Sequence, residues 1–527
     1  MEKQSKLPIG IQSFEKLRTE DFLYVDKTKF VYELAKKGLP YFLSRPRRFG
    51  KSLLVSTLEA YFLGKKELFK GLYIYDEEEK SENPWQMYPV LKFALASGEF
   101  TNENGLRRKL NETLKDFEEK YGLVNDAEDL PNRFKNALKN AFAKTGKKVV
   151  VLVDEYDTPL LRNLGENEVQ EKENRTLYKA FFATLKDYDD YLRFVFFTGV
   201  TKFSKVSIFS DLNQLQDITL SPNFDSICGI TQEELEEKFE PEIEQMAQKL
   251  GITKDECLIG LKKRYDGYHF SANGTDIYNP FSLMNAFANN KFGNYWFETG
   301  TPTFLVKKLE EIKFDVHKFD ENIKVSESEI TDYRPENKNP VPLLYQSGYL
   351  TIKSYNQRQE SYKLGFPNGE VKYGFLNALA PAYLKIDDDT SNFNVDILDD
   401  AVEEGDTDGM KDYFTALFAV LPYPASGDTE IIIEQNFQNV IYLSLLILGK
   451  YARTEVHSAR GRADCVIETD DFVYVLEFKR DASAKEALEQ IEKQGYALPY
   501  KSDRRKLFKI GVNFDTKIRN ISEWEVR

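Results

Sequence analysis

Hydrophobic positions along the chain fall into three regimes. In the first two hundred residues, short unbroken apolar runs are separated by long amphipathic stretches. Tyr41 to Leu43, Val149 to Val153 and Arg193 to Phe197 read as strands, the last two buried on both faces of a parallel sheet. A short strand is expected at Phe22 to Val25. Helices are expected from Thr28 to a stop at Gly38, from the residues after Gly50 to about Leu63, twice between residues 105 and 144, and from about Glu166 to Tyr188. Residues 231–250 and 253–265 then carry apolar stripes at helical spacing. From Pro302 the order changes to a helix at 303–312, an irregular charged stretch with Pro335 and Pro340, a helix at 341–350, alternating strands at 351–355 and 361–366, and a helix from Glu370 to Leu384. That is a winged-helix order. Its DNA-binding form needs a basic recognition helix, and residues 341–350 hold no Lys or Arg, so an internal packing role is expected for this helix. The last hundred residues give a long apolar helix around Glu434, two strands at GRADCVIE and YVLEFKR, and a helix at AKEALEQIEKQGYA.

This pattern predicts an α/β multidomain protein, divided as 1–228, a helical lid at 229–300, a winged-helix-like domain at 301–386, an acidic helical connector at 387–428 and an α/β domain at 429–527. Composition agrees with a globular chain, since 41% of the 527 residues are hydrophobic and 30% charged. The opening MEKQSKLPIG has no apolar signal region and no stretch is long enough for a membrane span, so the expected location is cytoplasmic, with no membrane partner. Three scattered cysteines and three histidines support neither a disulfide framework nor a zinc site. The net charge of −14 excludes coating of nucleic acid by bulk electrostatics. Eleven acids against one Lys between Asp387 and Asp412 concentrate part of that charge, leaving local docking on nucleic acid possible elsewhere.

Two stretches carry chemistry. In PYFLSRPRRFGKSLL, a strand runs through a basic loop into a helix, which is where backbone N–H groups, a lysine and a hydroxyl can converge on phosphates and Mg2+. Gly50, Lys51 and Ser52 supply the end of the phosphate-loop pattern, flanked by Arg47, Arg48, Phe49 and Leu53, while Arg45 stands where the first glycine is expected. Asp154 and Glu155 end the buried strand Val149 to Val153, at the sheet edge where ligands bind in open α/β folds. Asp154 suits a Mg2+ ligand and Glu155 the group that orients or deprotonates water. Thr198 ends the next buried strand, either as a contact to the outer phosphate or as an ordinary strand-terminal residue before a Gly turn. In the second stretch, Glu477 and Lys479 share one face of a strand. If the two strands pair as a hairpin, Asp464 comes beside Glu477, and with the Phe478 carbonyl they form an oxygen site for Mg2+ or Mn2+. Lys479 then stabilises or deprotonates attacking water, a set suited to phosphodiester hydrolysis.

LPIGIQSFEKL, VDKT, RPRRFGKS, VDEYDTPL, TGVTKFSKVSIFSDLNQLQDITL, GITQEEL and YDGYHF together resemble the predicted AAA-type ATPase family, whose members often carry a C-terminal nuclease-like domain. The resemblance covers about residues 7–300 and implies an AAA-like P-loop core, ATP binding by Lys51 and Ser52 and hydrolysis by Asp154 and Glu155; in that family RPRRFGKS stands as the phosphate loop. The ordered set of acidic helix, GR-Asp strand, E-x-K strand and Gln-bearing helix resembles the PD-(D/E)XK nuclease superfamily. It implies a restriction-endonuclease-like fold with catalytic Glu434, Asp464, Glu477, Lys479 and Gln490, acting on nucleic acid, DNA being expected. The leading expectation is an ATP-controlled, Mg2+-dependent nuclease. One alternative is a signalling switch whose terminal domain binds nucleic acid without cutting it. Another is a remodeller assembled from several copies, with Arg162, Arg175 or Arg193 reaching into a neighbouring subunit's site.

Overall fold

The computed structural model describes residues 6–121, 129–164, 166–202, 214–298, 303–312, 314, 319, 323–331, 339–384, 395–420, 453–458, 461–469 and 471–527. They form two compact units, one of Met1–Gly300 with Glu321–Val371 and the other of Thr301–Asp320 with Lys372–Arg527. Each is taken by itself.

In the first unit, strands β1 (Pro40–Ser44), β2 (Val90–Ala94), β3 (Val149–Asp154), β4 (Leu192–Gly199) and β5 (Gln216–Asp217) make a parallel sheet in the order β2-β3-β4-β1-β5. This parallel five-stranded sheet is consistent with the P-loop fold. All six residues of β3 are buried, and seven of the eight in β4, so these strands need no alternation. Rings lock the helix Glu168–Asp187 to the sheet, with Phe181 and Phe182 set edge-on to Phe93 and Phe197. The helix Lys51–Phe62 starts where β1 ends, through Gly50 at φ +89°. Here a left-handed residue is required, and glycine adopts it without the steric cost of a Cβ.

Beyond the sheet, helices Gln232–Lys238, Glu240–Leu250, Lys254–Tyr265 and Pro280–Asn289 bury Leu235, Phe239, Ile243, Met246, Leu261 and Leu283 in a core of their own. The stretch 231–250, expected as one helix, breaks at Phe239, because Pro241 brings no N–H and sits at the start of the second helix. Nor is Phe22 to Val25 a strand. Only an isolated bridge joins Phe22 to Lys6, while Leu23 and Val25 pack on the helical core. A small antiparallel sheet of β6 (Ile323–Ser326), β7 (Thr351–Asn356) and β8 (Ser361–Gly365), in the order β6-β8-β7, follows with the helix Val341–Ser347. Strand β6 falls in the stretch expected to be irregular.

The second unit holds a mixed sheet of β9 (Arg453–Ser458), β10 (Gly461–Glu468), β11 (Phe472–Arg480), β12 (Lys506–Asp515) and β13 (Asn520–Val526), in the order β13-β12-β11-β10-β9. Only β11 and β12 run parallel, and the helix Ala484–Gln494 joins them. Alternation divides β11 between two cores. Val473 and Val475 meet Leu488 and Ile491 of that helix, whereas Tyr474 and Leu476 face Leu398, Val402, Met410 and Phe414 of the helices Val395–Glu404 and Thr407–Val420. Asp400, Glu403, Glu404, Asp408 and Asp412 thus ride on helices whose apolar sides are committed to the sheet.

Candidate active sites

A cleft of about 340 Å3 opens at the carboxyl end of β1. Its floor is Gly50, Lys51, Ser52 and Leu53 with Arg47, Arg48 and Glu155, and its sides are Pro8 to Gln12 and the helix-start residues Pro280, Phe281 and Met284. Arg48, at φ +66°, lies over the Phe281 ring at 4.9 Å. Phe49 is buried against Tyr268 and Phe270. Lys51 is buried, and its Nζ donates to the carbonyls of Arg45 and Pro46 at 2.9 Å each. Burial lowers its pKa, opposed by the carboxylates of Glu155, Asp157 and Asp154.

The acids sit one strand away from the loop, because β4 lies between β1 and β3. The Thr198 hydroxyl, fully buried at the tip of β4, donates to Asp154 Oδ1 at 2.7 Å. It therefore orients the acid from behind. Glu155 stands at φ +54°, an uncommon backbone for a side chain, and burial raises its pKa against the pull of Lys51. These groups fit a nucleotide with its Mg2+: a lysine at a glycine-opened helix start, a hydroxyl beside it and two carboxylates at the next available strand end.

The second site lies on β10 and β11. Their antiparallel register pairs Cys465 with Leu476 and so places Asp464 across from Glu477. Asp464 Oδ2 accepts the Phe478 N–H at 2.9 Å. Glu477 is 1% exposed, and its Oε2 has no hydrogen-bond partner among the described residues. Burial, and then the Asp464 charge, push its pKa up to about 7. Lys479 Nζ reaches Glu477 Oε1 at 3.3 Å and Gln490 Oε1 at 2.6 Å, and Gln490 in turn meets the Tyr496 hydroxyl at 3.4 Å. Phe478 faces the opposite core. An unpartnered buried carboxylate oxygen beside a second carboxylate fits a hard divalent cation. Among the described residues no third His, Cys, Asp or Glu joins the pair, and Glu434 lies outside the described residues.

Residues 8–209 match the model of a family described as predicted AAA-ATPase, and residues 432–524 match that of the PD-(D/E)XK nuclease superfamily. An "Uncharacterized protein in vnfD 5'region" of Azotobacter chroococcum mcd 1 is 35% identical over 524 residues, covering 98% of both chains. The chain belongs to the predicted AAA-ATPase family. Its C-terminal domain is of the PD-(D/E)XK nuclease superfamily.

Several residues that shape this AAA-ATPase-family cleft are silent as motifs. Arg45, which stands at the first-glycine position of the phosphate-loop pattern, is 1% exposed and donates to the carbonyls of Ser44, Thr219 and Phe224 at 2.8–2.9 Å, stacked 4.1 Å from Phe270. It braces the loop from inside. Asp157 Oδ2 accepts the N–H groups of Val200 and Thr201 and the Thr201 hydroxyl, tying the turn after β4 to the turn after β3. A side chain at Gly199 would come within 2.7 Å of Asp157 Oδ1. The VDEYD motif carried a signal for this clamp in its third acid, Asp157, which periodicity alone could not interpret. The three arginines considered for a neighbouring site all have partners within the chain. Arg162 donates to Ala96 and Gly98 carbonyls, Arg175 pairs with Glu171, and Arg193 donates to the Ala35 carbonyl. Among the described residues no helix is long and apolar enough to cross a membrane.

Proposed function

We propose that the N-terminal unit binds and hydrolyses ATP with Mg2+, and that the C-terminal domain cleaves DNA with Mg2+ or Mn2+ under its control. One observation carries this reading: each unit holds two neighbouring acids and a fixed lysine in a buried or half-buried setting, Asp154, Glu155 and Lys51 in the first and Asp464, Glu477 and Lys479 in the second. In this reading the helices of residues 232–289 serve as the lid, and β6, β7, β8 and the helix Val341–Ser347 form the winged-helix-like module.

Lys51, Ser52 and the loop N–H groups hold the phosphates, with Arg47 and Arg48 at the rim. Asp154, oriented by Thr198, holds the cation through its remaining oxygen capacity, and Glu155 takes or orients the proton of the attacking water. Its raised pKa makes it the better proton acceptor. At the C-terminal site Asp464, Glu477 and the Phe478 carbonyl hold the metal, which when bound supplies Lewis acidity and lowers the pKa of water. Lys479, held by Gln490, faces the developing charge on the scissile phosphate.

A second reading, an ATP-dependent switch whose terminal domain binds nucleic acid without cleaving it, is favoured by Thr198. Expected at the outer phosphate, its hydroxyl is turned onto Asp154. Cleavage of linear and circular DNA with Mg2+ or Mn2+, with and without ATP, separates the two. The nuclease reading expects cutting by the wild type, loss in Asp464→Ala, and loss of ATP response in Lys51→Ala. ATP binding without cutting of any DNA rejects it and leaves the switch.

A further inference from the structure

Buried polar side chains are costly unless every end is satisfied, so a buried amide bonded to two separate main-chain segments holds those segments in register. Gln346, 5% exposed on the helix Val341–Ser347, is such a group. Its Oε1 accepts the Lys202 N–H at 2.9 Å, and its Nε2 donates to the Ile330 carbonyl at 2.8 Å. Lys202 follows the turn that Asp157 clamps, four residues past Thr198, whose hydroxyl holds Asp154. It is also ion-paired to Asp217 at the end of β5. The same helix ends against the phosphate loop. Gly348, at φ +91°, lies so near Pro46 that an added Cβ would stand 2.6 Å from its ring, and Tyr349 meets Trp296, whose indole N–H donates to the Arg47 carbonyl at 3.1 Å. Residues 346–349 thus touch two segments, the loop after β1 at Pro46 and the turn after β4 at Lys202. If one point shifts relative to the other, the helix end must shift or one of the contacts must break.

We propose that Gln346 is a positioning residue through which the module of β6, β7, β8 and the helix Val341–Ser347 follows the nucleotide state of the cleft. The proposal rests on ATP binding at Lys51. The module's role is to convert phosphate-loop geometry into the position of its own helix, with Gln346 as the link to the turn after β4 and Gly348 as the link to the loop.

Hydrogen exchange of the full chain, with and without a slowly hydrolysed ATP analogue and Mg2+, tests this. In the wild type, exchange across residues 341–350 is expected to slow by about fivefold or more on binding. Gln346→Met keeps volume and loses both bonds; it is expected to bind the analogue within about threefold of wild type, with exchange at 341–350 no longer responding. Gln346→Glu retains the acceptor for Lys202 and loses the donor to Ile330, and is expected to restore the response, which a merely structural role would not do. If the analogue binds and wild-type exchange at 341–350 is unchanged, or if the Met variant still responds, the proposal fails while ATP binding stands. Absence of any analogue binding overturns both. The wild-type arm needs no variant, so misfolding of one leaves the test in force.

Discussion

Glu477 gives the sharpest quantitative expectation. In the metal-free protein its carboxyl group lies buried beside Asp464, and its pKa stands at about 7 against an ordinary value of 4.5. A folded-state pKa above the unfolded one means that the native state holds the proton more tightly. Stability is therefore greatest below the unfolded value, declines as pH rises through the interval from 4.5 to about 7, and is fully reduced above it. At about 1.4 kcal/mol per pH unit the full interval amounts to about 3 kcal/mol, and solvent reaching the mouth of the site reduces this to about 2 kcal/mol. Glu477→Gln removes the ionisation and keeps the shape. Relative to wild type it should be neutral at pH 5 and more stable at pH 8, raising the unfolding midpoint of the C-terminal unit by about 4 to 6 °C. Calorimetric unfolding of the full chain in EDTA from pH 5 to pH 8 measures this. Added Mn2+ at pH 8 should stabilise the wild type and leave the Gln variant little changed, because the cation answers the two carboxylates together. A Gln variant with the wild-type pH slope, or one less stable than wild type at pH 8, would refute the reasoning.

Gly511 pairs with Glu477 in the parallel register, and a Cβ there would overlap the Ala484 carbonyl of the crossover helix. Gly511→Ala should cost about 1–3 kcal/mol in urea unfolding, and because the displaced helix carries Gln490, any DNA cleavage should fall about tenfold; an unchanged rate and midpoint would contradict the packing argument. Arg45→Met strands the carbonyls of Ser44 and Phe224 in buried surroundings and that of Thr219 in a half-buried one, and should destabilise the N-terminal unit by about 3 kcal/mol, with Arg45→Lys recovering less than half because an ammonium lacks the planar fork. Chemical denaturation monitored on that unit decides, and full recovery by Lys would argue that charge alone matters.

The cleft at the end of β1 was legible where local pattern and chemistry coincide. An apolar run that ends in Asp154 and Glu155 is a buried strand with acids at its tip, and Gly50 opening a helix after a strand needs no tertiary information. The hairpin that pairs Asp464 with Glu477 followed from alternation and a short polar turn. What periodicity could not show is which buried polar groups serve the interior. Arg45 reads as part of a basic loop, yet its acceptors are supplied by residues 219 and 224, far along the chain. Gln346 looks like one polar position in an apolar helix, and its partners at Lys202 and Ile330 belong to other segments. β6 hid in a charged stretch because only two of its four side chains are buried, a signal too short to outweigh its neighbours. The break at Phe239 was visible as Pro241 and underweighted against a strong apolar stripe.

The sheet order has a consequence for how the protein comes into being. β1, which delivers the phosphate loop, pairs on one side with residues 195–199 and on the other with residues 216 and 217. Chains emerge from the ribosome N-terminus first at roughly 5–20 residues per second. For many seconds of synthesis the glycine, lysine and serine of the loop are therefore present with no neighbouring strand to hold them. The cleft is assembled only after the acid-bearing strand and the clamped turn have both been made, so a nascent or prematurely terminated chain that carries the whole loop motif still has no such cleft.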